Sequence, residues 1–172
     1  MRWLWVFRLI ALSLILFVAD ALLKAYVHLY IPVMYAASPI YPYDGIAVFQ
    51  DWGGIDFSIV HVINRGAAWG IFASMQQYLL YARLALVGGL LIYLSFVKKD
   101  RLHKFFLTLV VTGALGNIAD SFVYGHVIDM FYFVFWGYSY PVFNIADSVI
   151  FCGIAGLVCR SFFKTSPKTA AV

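Results

Sequence analysis

Apolar residues fill four stretches of the chain, about Leu9–Ile31, Tyr78–Val97, Phe105–Tyr124 and Phe143–Phe163, each close to 20 residues and poor in charge. That length matches a helix crossing the hydrocarbon core of a bilayer. The pattern predicts an all-α membrane protein: a four-transmembrane-helix bundle forming a single integral-membrane domain over residues 1–172. Between the first two runs, residues 32–77 break the apolar pattern with Pro32, Pro39, Pro42, Asp44-Gly45 and Gly53-Gly54. Between these breaks, Ile46–Gln50 and Ile55–Ile63 alternate and are rich in β-branched residues. A small β-rich extracytoplasmic segment between helices 1 and 2 is expected, with Trp52, Trp69 and several tyrosines at interface depth.

Basic residues set the orientation. Arg2 and Arg8 precede the first run, Lys98, Lys99, Arg101 and Lys104 separate the second from the third, and Arg160, Lys164 and Lys168 close the fourth. All three clusters fall on one side of a four-pass chain, which predicts that both termini are cytoplasmic. The opposite side, residues 32–77 and 125–142, has Arg65 as its basic residue. A cleaved signal peptide is the alternative for the first run, because Ala19-Asp20-Ala21 has the small-x-small form of a cleavage site. The Asp beside that cut and the apolarity continuing through Val27 favour a retained helix.

Composition sharpens this picture. The chain is 64% hydrophobic and 12% charged, against about 25% charged in a soluble domain. Its net charge of +4 comes from residues flanking membrane runs, so nucleic acid is not an expected partner. Cys152 and Cys159 lie on one helical face, about 10 Å apart at about 1.5 Å per residue, too far for a disulfide in a straight helix. All 8 acidic residues are aspartates, and carboxylates this scarce in an apolar chain each call for an explanation.

Three groups of polar residues fall within or beside the helices. Asp20 and Lys24, four apart in helix 1, either neutralise one another while holding neighbouring loops or support a site. In helix 3, Gly113 and Gly116 allow close helix approach, Asn117 can hydrogen-bond across helices, and Asp120 shares its face. Asp129 follows that helix, flanked by Met130, Phe131, Tyr132 and Phe133, an apolar wall expected to raise its pKa. At the start of helix 4, Asn144 and Asp147 share a face, as a helix cap or as a carboxylate at the positive end of the dipole. Helix 3 ends and helix 4 begins on one surface, so Asp129 and Asp147 can converge there. Two carboxyls at an apolar site, one ionised and one protonated, are the equipment of an aspartyl hydrolase. No HExxH, Gly-x-Ser-x-Gly or glycine-rich phosphate loop occurs. His28, His61, His103 and His126 are scattered, read as loop or interface residues, and no metal site is expected. Two other classes remain open: a transporter with Asp20, Asp120, Asp129 and Asp147 along a proton or cation path, and a non-catalytic assembly subunit.

Four blocks in order, Asp20-Ala-Leu-Leu-Lys24, Asn64-Arg-Gly-Ala-Ala-Trp69-Gly70, Gly116-Asn117-Ile-Ala-Asp120 through Gly125-His126-Val-Ile-Asp129, and Phe143-Asn144-Ile-Ala-Asp147, resemble the bacterial lipoprotein signal peptidases (signal peptidase II) over nearly the whole chain. The resemblance implies catalytic roles for Asp129 and Asp147. It implies site-lining positions at Asn64, Gly66, Ala68, Asn117 and Asn144, and supporting ones at Asp20, Lys24 and Asp120. Ser121 stands where the family usually has Arg, and Met130 where it usually has Phe. The implied substrate is a diacylglyceryl-modified prolipoprotein, cut just before its lipidated Cys with water and no metal or cofactor. Also implied are a monomer among membrane lipids in the bacterial inner membrane, a site near the outer face, and inhibition by cyclic peptides such as globomycin. The outer segment, ending at 64–70, is expected to close over bound peptide.

Overall fold

The structure, a computed structural model, describes residues 2–34, 40–66, 75–98 and 100–164. The four apolar runs form helices α1 (Arg2–Tyr30), α2 (Gln76–Phe96), α3 (Arg101–Val123) and α4 (Ile145–Lys164), all long and apolar enough to cross a membrane. α1 begins seven residues before the apolar run, because Arg8 interrupts the hydropathy but not the helix. It ends ahead of Pro32, whose ring disfavours helical geometry in the preceding residue. α3 starts on the Asp100 cap, whose carboxylate accepts from the His103 N–H at 3.0 Å.

α3 is the centre of the bundle: half of its apolar span is buried within the protein, against 6% for α1 and α2 and 17% for α4. One side, with Val111 and Ile118, packs on Val87, Leu80 and Leu90 of α2. The other side is glycine. A Cβ at Gly113 would stand 2.3 Å from the Ala146 carbonyl oxygen, and one at Gly116 2.9 Å from the Asp20 carboxylate. Absent side chains thus bring α1 and α4 against α3 at the level where their polar residues lie.

The β-rich part differs from expectation. Strands β1 (Ile46–Phe49) and β2 (Ile55–Asn64) form where predicted, but β3 (Val127–Phe135) and β4 (Tyr138–Ser139) come from the α3–α4 connection. The sheet is antiparallel in the order β1-β2-β3-β4, so it is not confined to the segment between helices 1 and 2. The β3–β4 hairpin turns through Trp136 and Gly137, both at positive φ (47° and 82°), as a two-residue loop matched to strand twist requires.

The sheet fixes where Asp129 points. Ile128 and Met130, both fully buried, turn into a core with Val27 and Ile31 at the end of α1, contributing about 1.5–3 kcal/mol each by burial. Strand side chains alternate, so Asp129 projects from the opposite face. Backbone bonds from Met130 and Phe131 N–H to the Phe143 carbonyl, 3.1 and 2.8 Å, then tie the residues before α4 to β3.

Candidate active site

Asp147 sits in the first turn of α4 and Asp129 is the third residue of β3, at one end of the bundle. Asn144, fully buried, joins them. Its Oδ1 accepts from the Asp147 N–H at 2.8 Å, and its own N–H donates to Asp147 Oδ2 at 3.4 Å, the reciprocal pattern of a capping box. Its Nδ2 donates to Asp129 Oδ1 at 2.7 Å, and also lies 3.2 Å from Asn117 Oδ1 and 3.3 Å from the Ile128 carbonyl. The two readings of the Asn144-x-x-Asp147 spacing are therefore both realised: one residue caps the helix and bridges two carboxyls.

Each remaining carboxylate oxygen also has an amide partner. Asn117 Nδ2 donates to Asp147 Oδ1 at 2.7 Å, and Asn64 Nδ2 to Asp129 Oδ2 at 2.9 Å. Asn64 is held in turn by the Gly66 N–H, which donates to its Oδ1 at 3.0 Å. Among the described residues neither Asp129 nor Asp147 forms an ion pair. Burial, reinforced by the charge of Asp147, pushes the Asp129 carboxyl up to about 7, against the opposing hydrogen bonds of Asn64 and Asn144 and the charge of Lys24. Asp129 can therefore hold a proton near neutrality, as its apolar flanks predict.

A second carboxylate pair lies behind the first. The fully buried Lys24 ammonium is 2.7 Å from both Asp20 Oδ2 and Asp120 Oδ2, and donates to Asn117 Oδ1 at 3.1 Å. The Asp20–Lys24 pair therefore does not close on itself. Asp20 Oδ1 accepts from the Ala146 N–H at 2.9 Å in the first turn of α4, and Asp120 Oδ2 from the Ile128 N–H at 3.3 Å beside Asp129. The pair thus pins the backbone on both sides of the dyad, and Asn117 carries the contact from Lys24 to Asp147.

Of the other residues singled out from the sequence, Ala68 and Trp69 lie outside the described residues, as do Lys99, Lys168 and most of the 64–70 segment. Ser121, where an Arg is usual in the family it resembles, donates to the Asn117 carbonyl at 3.2 Å. Met130 fills the core under the sheet.

The histidines are a correction. His28, His61 and His126 are not scattered but gather around Tyr124. The rings of His28 and His61 are 5.7 Å apart, His28 and Tyr124 4.8 Å, and Tyr124 and His126 6.4 Å. They come from α1, β2 and the α3–β3 link, contacts that no sequence spacing discloses. Burial, with Arg65 and the two other histidines, pushes His126 below its ordinary pKa. Among the described residues no group of three His, Cys, Asp or Glu is placed to hold a metal.

Comparison with known proteins gives the family and the fold. A family profile described as signal peptidase (SPase) II matches residues 12–163. The lipoprotein signal peptidase of Chlamydia pneumoniae is 38% identical over 118 residues, 67% of this chain and 70% of that protein. That of Chlamydia abortus is 33% identical over 152 residues, 87% and 88% of the two chains. In fold, the chain resembles a bacterial membrane enzyme solved by the in meso method at 2.3 Å resolution, with a TM-score of 0.78, 23% identity, and 96% and 93% of the two chains covered. A second such structure, at 1.9 Å resolution, gives a TM-score of 0.73 at 23% identity, covering 92% and 94%. With the profile spanning most of its length, the chain belongs to the signal peptidase II family.

Proposed function

We propose that this chain is an aspartic endopeptidase that removes the signal peptide from diacylglyceryl-modified prolipoproteins, cutting just before the lipidated Cys. The observation that carries the reading is the Asn144 bridge: one residue donates to both carboxyls, its Nδ2 to Asp129 and its backbone N–H to Asp147, and among the described residues no cation pairs with either. A transporter path would instead spread its acids through the membrane depth.

In the proposed reaction, Asp147 takes a proton from a water between the carboxyls, and that water attacks the scissile carbonyl carbon. Protonated Asp129 donates a hydrogen bond to the carbonyl oxygen as negative charge develops there. The tetrahedral intermediate then collapses, the C–N bond breaks, and the proton on Asp147 passes to the leaving amine of the Cys. Asn64, Gly66, Asn117 and Asn144 orient the carboxyls, and Asp20, Lys24 and Asp120 brace the helices around them. The enzyme uses neither metal nor cofactor, works as a monomer in the bacterial inner membrane with both termini cytoplasmic, and has its site near the outer face. Globomycin-type cyclic peptides bind at the dyad.

Purified protein incubated with a lipidated precursor peptide tests this. Cleavage before the modified Cys that is lost in both Asp129→Asn and Asp147→Asn supports it; near-normal turnover in Asp147→Asn overturns it.

A further inference from the structure

The end of the bundle remote from the dyad holds a cavity that the peptidase reading leaves unused. α1 and α2 both pack on α3 but hardly on one another. Between them, with α3 as the floor, lies a groove of about 570 Å³. One face of α1, from Trp5 to Phe17, forms one wall, and Leu94 and Ser95 of α2 form the other. Along α3 the groove runs from Lys104 through Thr108 and Thr112 to Leu115. At about 1.5 Å per residue this path is about 16 Å, half of a hydrocarbon core about 30 Å thick. The groove is therefore one leaflet deep.

Its chemistry is graded. The deep part is apolar, while Lys104 stands at the mouth with Thr108 and Thr112 below it on the same face of α3. Asp100, one turn away, is engaged by Arg160 and by the His103 N–H, and among the described residues Lys104 has no ion-pair partner. Exposed Arg8, Lys98 and Arg101 surround the same end. An unpaired ammonium above an apolar slot complements an anionic headgroup carrying an acyl chain. The volume suits one chain, at roughly 30 Å³ per methylene-sized unit, the space a water takes. The helix of a substrate signal peptide fits less well, because its flanking charge is positive and would meet Lys104.

We propose that the α1–α2–α3 groove is a binding site for one anionic phospholipid, with its phosphate at Lys104 and an acyl chain between α1 and α2. The site lies away from Asp129 and Asp147, so it stands independently of the catalytic reading.

Native mass spectrometry of the full-length detergent-solubilised protein, titrated with phosphatidylglycerol or with phosphatidylcholine of identical chains, tests the proposal. The expected result is one phosphatidylglycerol held at least about five-fold more tightly, one basic side chain's share at a lipid headgroup. Lys104→Gln should abolish that preference and Lys104→Arg should keep it. Thr108→Trp, which fills the groove and leaves the charge, should remove binding of both lipids. Free inorganic phosphate should not displace the bound lipid. Equal retention of the two lipids by the wild-type protein would overturn the proposal, and that comparison stands even if a variant fails to fold. A preference that survives in folded Lys104→Gln would also overturn it, as would displacement of the lipid by a precursor signal peptide or by phosphate.

Discussion

Asp20, Asp120, Asp129 and Asp147 form two pairs with opposite chemistry. Asp20 and Asp120 share the ammonium of Lys24, whereas the carboxyls of Asp129 and Asp147 accept from the side-chain amide and the backbone N–H of Asn144. Both carboxyls of the first pair also accept from backbone N–H groups, Asp20 from Ala146 in α4 and Asp120 from Ile128 in β3. A carboxyl bound by neutral amides keeps its orientation while its proton stays free to come and go. One positive charge faces four carboxyls, and burial beside Asp147 pushes Asp129, furthest along the network from Lys24, up to about 7. The partner type, cation or amide, therefore separates scaffold from candidate chemistry among residues identical in composition.

The sharpest way to break this comparison is to neutralise one member of each pair. Asp129→Asn and Asp147→Asn should each lower cleavage of a lipidated precursor peptide by about 10⁴-fold or more and leave the melting temperature near that of the parent. Lys24→Met should do the reverse in kind. It strands two carboxylates without a counter-charge, a loss of about 3–5 kcal/mol for a broken buried pair, visible as a fall in thermal stability before activity is assayed. Should Lys24→Met unfold normally but lose turnover selectively, Lys24 would belong to the chemistry and the two-pair distinction would fail.

Asn144→Ala falls between these extremes because Asn144 belongs to both functions. Losing the cap costs about 1 kcal/mol, and loosening the two carboxyls by about 1 Å lowers kcat by about 10²-fold. A stability loss with unchanged kcat would reduce Asn144 to a cap.

The sequence discloses these two pairs unevenly. The helices are legible because a membrane span needs about 20 apolar residues, and Asp120, Asp129 and Asp147 stand out against that background. The i,i+4 spacing discloses Asp20–Lys24, and the i,i+3 spacing discloses the Asn144 cap. The link from Lys24 to Asp120 depends on how α1 packs against α3, and that from Asn144 to Asp129 on β3, neither of which any spacing discloses. Val127–Phe135 is a nearly unbroken apolar run whose first four residues are buried, and such a strand shows no period-2 alternation to distinguish it from a helical segment. The His28, His61 and His126 cluster is hidden for a related reason, since three separate elements bring it together at the end of α1.

The mildest test addresses the proton on Asp129. In the proposed reaction Asp129 starts protonated, so cleavage should decline as pH rises through about 7, the alkaline limb of the rate profile. Stability should follow the same sign. The folded-state pKa lies above the ordinary 3.8, so the protonated group's contribution is complete below about 4 and is lost between there and about 7. Asn64 donates to Asp129 Oδ2 and favours the ionised form, so Asn64→Ala should move the alkaline limb towards higher pH. A limb that moves towards lower pH, or stays in place while kcat changes, would show that the titrating group is not Asp129. The proton would then belong to Asp147, and the two aspartates would exchange roles without disturbing their contrast with the pair at Lys24.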